Sequence, residues 1–206
     1  MMFGTFIDMW FIGQVGDREL AALSLAFPVL MVVTSVAIGL GAGTSSVVAR
    51  AIGSHNHRRA RRLATDSLIL SFGISAVVSV VGILTIAPLF RLLGAPEDMI
   101  PLIACYMNIL YIGVPFVVVG MVGMSSMRAT GDTKLPIILM VAASVVNVIL
   151  DPILIFGFGP VPVMGLNGAA LAALLSRFEI FVGTVYLMKY RLDMLTLNRP
   201  DKKELL

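Results

Sequence analysis

Six stretches of apolar residues follow one another along the chain, near 1–15, 20–50, 63–92, 99–127, 135–156 and 164–188. Each is continuous rather than alternating, so the pattern predicts α-helices and not the strands of a barrel. A helix needs about 20 mainly apolar residues to cross the ~30 Å hydrocarbon core of a bilayer, and segments two to six reach that length. Segment one falls short, spanning only about 24 Å at ~1.5 Å per residue. It is therefore expected to be the end of a helix whose start lies upstream, and the sequence to be a fragment. Its opening, Met1 to Asp8, has no basic stretch and places an acid where a signal peptide would be apolar, so no cleavable leader is expected.

The breaks between segments carry turn chemistry. They are Gly16-Asp17-Arg18-Glu19, Gly53-Ser54-His55-Asn56-His57, Gly94-Ala95-Pro96-Glu97-Asp98, Thr130-Gly131-Asp132-Thr133-Lys134 and the Gly/Pro-rich Gly157-Phe158-Gly159-Pro160-Val161-Pro162. Small residues recur inside the helices, at Gly39, Gly41, Gly43, Ser45 and Ser46 and again from Gly165 to Ala173. They let helix backbones approach closely in lipid. Gly39-Leu40-Gly41-Ala42-Gly43 follows no strand and lies within an apolar run, so it is not a dinucleotide loop.

Composition agrees with a membrane protein: 58% of the 206 residues are apolar and 13% charged, against about 45–50% and 25% in soluble domains. The net charge of +3 does not point to nucleic acid, because the charges sit in short clusters between apolar runs. Of the fifteen Lys and Arg residues, twelve fall at the ends of alternate segments: Arg50, Arg58, Arg59, Arg61, Arg62, Arg128, Lys134, Lys189, Arg191, Arg199, Lys202 and Lys203. Only Arg18 and Arg91 fall at the other ends, and Arg177 lies deep in segment six. The positive-inside rule then places loops 54–62 and 128–134 and the C-terminal tail in the cytoplasm. It turns 16–19, 94–98 and 157–163 outward, in a multi-pass protein of the plasma or inner membrane. Cys105, the only cysteine, can form no disulfide within one chain and is expected to be a small core residue. His55 and His57 lie in a basic loop without metal-site company. No P-loop, zinc helix or nucleophile elbow is present, so no enzyme is expected.

Ionisable groups inside a membrane are costly and mark function. Two acids stand out. Asp8 is flanked by Phe6-Ile7 and Met9-Trp10-Phe11, and Asp151 lies in Asn147-Val148-Ile149-Leu150-Asp151-Pro152. Desolvation disfavours the charged carboxylate, so either acid can take up a proton or hold a dehydrated Na⁺. Asn147 precedes Asp151 by four residues and shares its helix face. Pro152 has no N–H, so the helix supplies no partner to the carbonyl of Val148. Carboxylate, amide and carbonyl together suit a hard cation; an ordinary proline kink with a polar patch is the plain alternative. Weaker candidates for a substrate cavity are Asn108 and Tyr111, three apart on segment four, and Glu179 beside Arg177 on segment six. Interhelical hydrogen bonding serves as well for the first two, and local pairing for the third. The methionines at 107, 121, 124 and 127 are expected mainly to pack, and Asp66 to partner Arg62.

The ordered set of motifs resembles the first half of a multidrug and toxic compound extrusion (MATE) transporter. The stretches are Ile7 to Gly16, Leu20-Ala21-Ala22-Leu23-Ser24, Val48-Ala49-Arg50-Ala51-Ile52-Gly53, Met127-Arg128-Ala129-Thr130-Gly131-Asp132-Thr133-Lys134-Leu135-Pro136, Asn147 to Pro152, and Gly165-Leu166-Asn167-Gly168-Ala169-Ala170. They cover essentially the whole chain, and the fourth is the most specific. The resemblance implies an all-α, polytopic membrane fold of six transmembrane helices, forming one lobe of a twelve-helix transporter. A six-helix lobe at 1–192 would lead into a cytoplasmic linker at 193–206, with a second six-helix lobe following. It implies antiport of amphipathic, often cationic organic compounds against H⁺ or Na⁺, with no cofactor beyond that ion. Asp8 stands where the family has its acid of helix one, and Asn147 and Asp151 match the polar pair of helix five. Ala173 stands where some members have a Thr, which tilts the expectation toward H⁺. A related exporter of lipid-linked or polysaccharide precursors is the alternative. An intramembrane aspartyl protease is disfavoured, because Ile7 and Leu150 precede the two acids where its signatures have Tyr and Gly. A scaffold without transport would tolerate replacement of both acids.

Overall fold

The computed structural model describes residues 10–14, 16–157 and 162–195. Residues 10–14 are helical and are denoted α1. They are followed by α2 (Asp17–Gly53), α3 (His57–Leu92), α4 (Ile100–Ala129), α5 (Lys134–Phe156) and α6 (Leu166–Tyr190). Among the described residues, α2 to α6 are the five helices long and apolar enough to cross a membrane. With 37 and 36 residues, α2 and α3 run for about 55 Å, well beyond the ~30 Å of the hydrocarbon core.

The additional length of α3 corrects one expectation. The basic run 57–62 is helix, not loop, and the break from α2 narrows to Ser54, His55 and Asn56. Asn56 starts the helix, its side-chain oxygen accepting the N–H of Arg59 at 3.0 Å. A polar run outside the hydrocarbon can be as helical as an apolar one within it. Asp132 does the same for α5, accepting the N–H groups of Lys134 and Leu135 at 3.0 and 3.1 Å. His55 takes a left-handed φ of 57° in the tight α2–α3 turn.

Helix α4 lies at the centre, packed against α2, α3 and α6, while α5 packs mainly on α6. Small residues set the approach. An added Cβ on Gly123 of α4 would lie 2.2 Å from the Thr184 side chain of α6, and one on Gly120 2.9 Å from Ile180. Gly82 of α3 faces the Tyr111 ring of α4, and Gly41 of α2 faces Ser125 of α4. Gly39 and Gly43 meet no neighbour, so only one glycine of that stretch is a packing site. At the α5–α6 corner an added Cβ on Gly168 would lie 2.2 Å from the carbonyl oxygen of Leu154. The return is closed by the N–H of Gly165 donating to Ile155 at 3.1 Å. Met107, Met124 and Met127 are core residues.

Prolines within α2, α3, α4 and α5 each leave a carbonyl one turn earlier without its helical donor. In α4 the structure shows what replaces it. Pro115 orphans the carbonyl of Tyr111, and the hydroxyl of Ser79 on α3 donates to that oxygen at 2.7 Å, out of water. Other hydroxyls of the spans, such as those of Thr34, Thr44, Ser71 and Ser176, donate to carbonyls four residues back.

The outward side chains complete the membrane character. Leu84, Val32, Ile69, Leu70, Val77 and Ile138 are each more than half exposed, on faces that only lipid or another apolar surface can cover. At one end of the bundle Arg18 pairs with Asp98, and Arg91 with Glu97 at 2.9 Å. At the other, Arg61 pairs with Asp193, and Arg62 lies 3.8 Å from Asp66 one turn on.

Candidate functional site

Asp151 is fully buried one turn from the end of α5. The i, i+4 spacing brings Asn147 beneath it, and the amide Nδ2 donates to Asp151 Oδ1 at 3.3 Å. In this orientation the amide offers a proton, which suits an ionised carboxylate. To share a cation with Asp151, Asn147 must turn its amide and present the oxygen instead. Pro152 follows at once within the helix, so the Val148 carbonyl lies in the same turn without a helical donor. The oxygen chemistry of this turn fits a proton or a small hard cation, with two side-chain groups from one helix and the rest of the shell from elsewhere.

Asp8 lies outside the described residues. In the described residues that follow it, Ile12 is fully buried and the ring of Phe11 meets that of Phe156 edge to face at 5.9 Å. That contact seats α1 against the end of α5, within two turns of Asp151.

The weaker candidates are not brought together. Tyr111 is buried against Gly82, whereas Asn108 lies on an exposed stripe of α4 with Pro101, Cys105 and Ile112. Cys105 is exposed, which corrects the expectation of a core cysteine: α4 is buried in its C-terminal half and open along one face of its N-terminal half. Glu179 lies on α6. Gly183 meets Leu139 of α5, and α5 and α6 run antiparallel, so one turn earlier Glu179 stands at the level of Ala143. Its Oε2 is buried with no hydrogen-bond partner among the described residues. Arg177, two residues before it, extends along Gly113 of α4. Glu179 and Arg177 thus serve different helix interfaces.

One polar contact was missed by sequence reasoning. Ser79 on α3 had no local feature to distinguish it; its signal was on another helix, in the proline four residues after Tyr111.

Comparison with known proteins is decisive at this point. The family model MatE matches residues 1–153. The chain belongs to the MATE family. It is 45% identical over 91% of its length to a protein of Shewanella oneidensis named "FAD transporter", covering 42% of that protein. Two solved structures of a multidrug resistance MATE family transporter share its fold. The outward-facing one has a TM-score of 0.88 at 33% identity, over 99% of this chain and 46% of that one. The inward-facing one has a TM-score of 0.87 at 32% identity, over 98% and 46%. The chain therefore spans less than half the length of these relatives, and corresponds to one lobe of a MATE transporter.

Proposed function

We propose that this lobe is one half of a cation-coupled antiporter that exports amphipathic, often cationic organic compounds in exchange for H⁺ or Na⁺. The observation that carries the reading is Asp151, a carboxylate fully buried in an apolar helix with an amide turned toward it at 3.3 Å. Such a group is expensive to keep in a membrane. Asp8, which stands where the family has its acid of helix one, is the second acid of the proposed site. Asn108, Tyr111 and Glu179 remain candidates for substrate contact, with Glu179 the best placed for polar work because its buried Oε2 lacks a partner among the described residues.

The coupling follows from charge. Protonation or Na⁺ binding from outside neutralises the carboxylates, alters how α1 and α5 pack, and weakens the hold on a bound cation. Ion and substrate then compete, which is the requirement for exchange. A single lobe geometry fits both the inward- and outward-facing relatives equally well. That supports a lobe that rocks as a rigid body against its partner. In this reading residues 1–192 form the six-helix lobe and 193–206 the linker to a second lobe. The basic ends of α2, α4 and α6 face the cytoplasm, twelve of the fifteen basic residues lying on that side.

The 45% identity to a protein named for FAD transport favours a second reading, export of an anionic dinucleotide. Its phosphates need a cation in the path, and Arg177 beside Gly113 is the one basic residue deep in the spans. An exporter of lipid-linked or polysaccharide precursors would make the same demand.

One set of assays separates these readings. The two-lobe protein is reconstituted in liposomes, and efflux of ethidium and of FAD is followed with and without imposed H⁺ and Na⁺ gradients. Asp8→Asn or Asp151→Asn should abolish gradient-driven efflux while leaving the protein folded. Full coupled efflux by Asp151→Asn would refute the coupling site. Transport of FAD alone, lost in Arg177→Gln, would replace the cationic substrate by the anionic one.

A further inference from the structure

Glu179 is the one carboxylate of α6 and stands near the middle of that span. Two glycines on the same helix fix its direction. Gly168 meets the backbone of Leu154 and Ile155 on α5, and Gly183 meets Leu139 on α5. At about 100° per residue, Glu179 lies about 20° around the helix from Gly168 and about 40° from Gly183. It therefore faces α5, at the level of Ala143, which is buried. Spacing of four residues carries Ala143, Asn147 and Asp151 along one side of α5. At ~1.5 Å per residue, Glu179 stands about 6 Å along the axis from the level of Asn147 and about 12 Å from that of Asp151. The seam between α5 and α6 thus holds a row of oxygen-bearing side chains in the order Asp151, Asn147, Glu179.

The Oε2 of Glu179 is buried with no hydrogen-bond partner among the described residues. The basic side chains of the helices around it are engaged or directed elsewhere. Lys134 opens α5 at the far end of the seam. Arg128, at the end of α4, donates to Ser125 at 2.8 Å. Arg177 extends along Gly113 of α4, and Lys189 lies over the ring of Tyr190. A carboxyl oxygen left open in the middle of a span is costly unless something binds there. Its place between two packed helices limits what that can be. An organic compound reaches it only by parting α5 from α6, whereas a proton or a dehydrated Na⁺ needs no such space.

We infer that Glu179 is a second binding site for the coupling ion, receiving the proton or Na⁺ that leaves Asp151, past Asn147, on its way to the basic end of the lobe. The inference rests on the reading of Asp151 as a coupling acid. Charge gives the order of events. An ion on Asp151 is drawn along the seam by the next negative group. Once it sits on Glu179, Asp151 is again negative and able to attract a cation before the ion has left the lobe. This role gives Glu179 the ion and not the organic substrate.

The test uses the two-lobe protein in liposomes, with efflux of ethidium or of FAD, whichever the parent carries. Glu179→Gln keeps the side-chain volume and removes the ion site. It should slow gradient-driven efflux by at least about tenfold, as loss of a positioned proton-transfer group does. Counterflow of labelled against unlabelled compound, with equal pH and Na⁺ on both sides, carries no net ion and should match the parent. Glu179→Asp should retain most of the driven rate, and unfolding curves report whether each variant is folded. A second measurement needs no variant: dicyclohexylcarbodiimide, which adds to protonated carboxyls out of water, should modify Glu179 of the parent at acid pH, as located by peptide mass spectrometry. Parent-like driven efflux by Glu179→Gln would overturn the inference, and so would an unmodified Glu179. Equal slowing of counterflow and driven efflux would overturn it too, by making Glu179 a substrate or packing group. Loss of coupling in Asp151→Asn beside a parent-like Glu179→Gln would remove the second site alone. Full coupling in Asp151→Asn would remove the coupling site on which it rests.

Discussion

The link between Ser79 and the proline-freed carbonyl of Tyr111 makes a quantitative prediction. Ser79 is buried and its hydroxyl donates to that carbonyl at 2.7 Å. The carbonyl needs it because Pro115, four residues on, has no N–H. Replacing Ser79 by Ala removes a hydrogen bond of ~0.5–1.5 kcal/mol net and leaves a buried acceptor, which costs about 1–3 kcal/mol. Interhelical polar pairs in membranes average only ~0.6 kcal/mol and reach ~1.7, so the expected loss is about 1–2 kcal/mol. The same change in a Pro115→Ala background should cost only a few tenths, because an alanine at that position supplies the N–H that Pro115 lacks. The two substitutions should therefore couple by about 1 kcal/mol, far above the ~0.3–0.5 kcal/mol scatter of independent sites. Reversible unfolding of the four proteins by sodium dodecyl sulfate in mixed micelles measures this. Additive losses would show that the contact does not replace the missing helical bond.

Further expectations follow from other contacts. Asn147→Ala should leave the fold intact but shift the pH dependence of efflux in the two-lobe protein, since Asp151 Oδ1 loses the amide donor at 3.3 Å; an unchanged pH profile would remove Asn147 from the site. Gly168→Ala drives a Cβ to 2.2 Å from the Leu154 oxygen, backbone against backbone, and should destabilise by at least the ~1–3 kcal/mol of overpacking. Gly73→Ala, with no neighbour within 4 Å, should be neutral or stabilising by up to ~1 kcal/mol, in the same unfolding assay. Asn56→Ala removes the acceptor for Arg59 N–H and should cost ~1 kcal/mol, with amide exchange rising first in residues 57–62.

The apolar runs showed the helices because hydrocarbon admits little else. The limits of α4, α5 and α6 fall within about two residues of the sequence expectation. What failed was the boundary in water: Arg58 to Arg62 look like a loop by polarity, yet nothing prevents helix there once Asn56 caps it. The pair Asn147 and Asp151 was legible because i, i+4 spacing on one helix fixes a contact regardless of the rest of the fold. Asn108 and Tyr111 were not, because their three-residue spacing says nothing about which neighbours surround α4. Gly82 claims Tyr111, while a stripe in the N-terminal half of α4, with Asn108 and Cys105, stays uncovered.

The prolines connect the structural and functional parts of the lobe. Four helices carry one, and each leaves a carbonyl oxygen that the membrane cannot solvate. In α4 that oxygen is taken by Ser79, a neutral donor on an adjacent helix, and the result is a fixed joint. In α5 the proline follows directly after a buried acid, and the Asn147 amide in that turn is directed to the carboxylate instead. The same defect beside a carboxylate creates an oxygen-rich turn, and under the proposed coupling its balance would change with one proton or one Na⁺. If that contrast is functional, Pro115→Ala should alter stability and leave the ion dependence of efflux as it was. Pro152→Ala should do the reverse, restoring the Val148 hydrogen bond while weakening coupling. A transporter whose ion dependence survives Pro152→Ala unchanged would show that the carboxylate works without its proline.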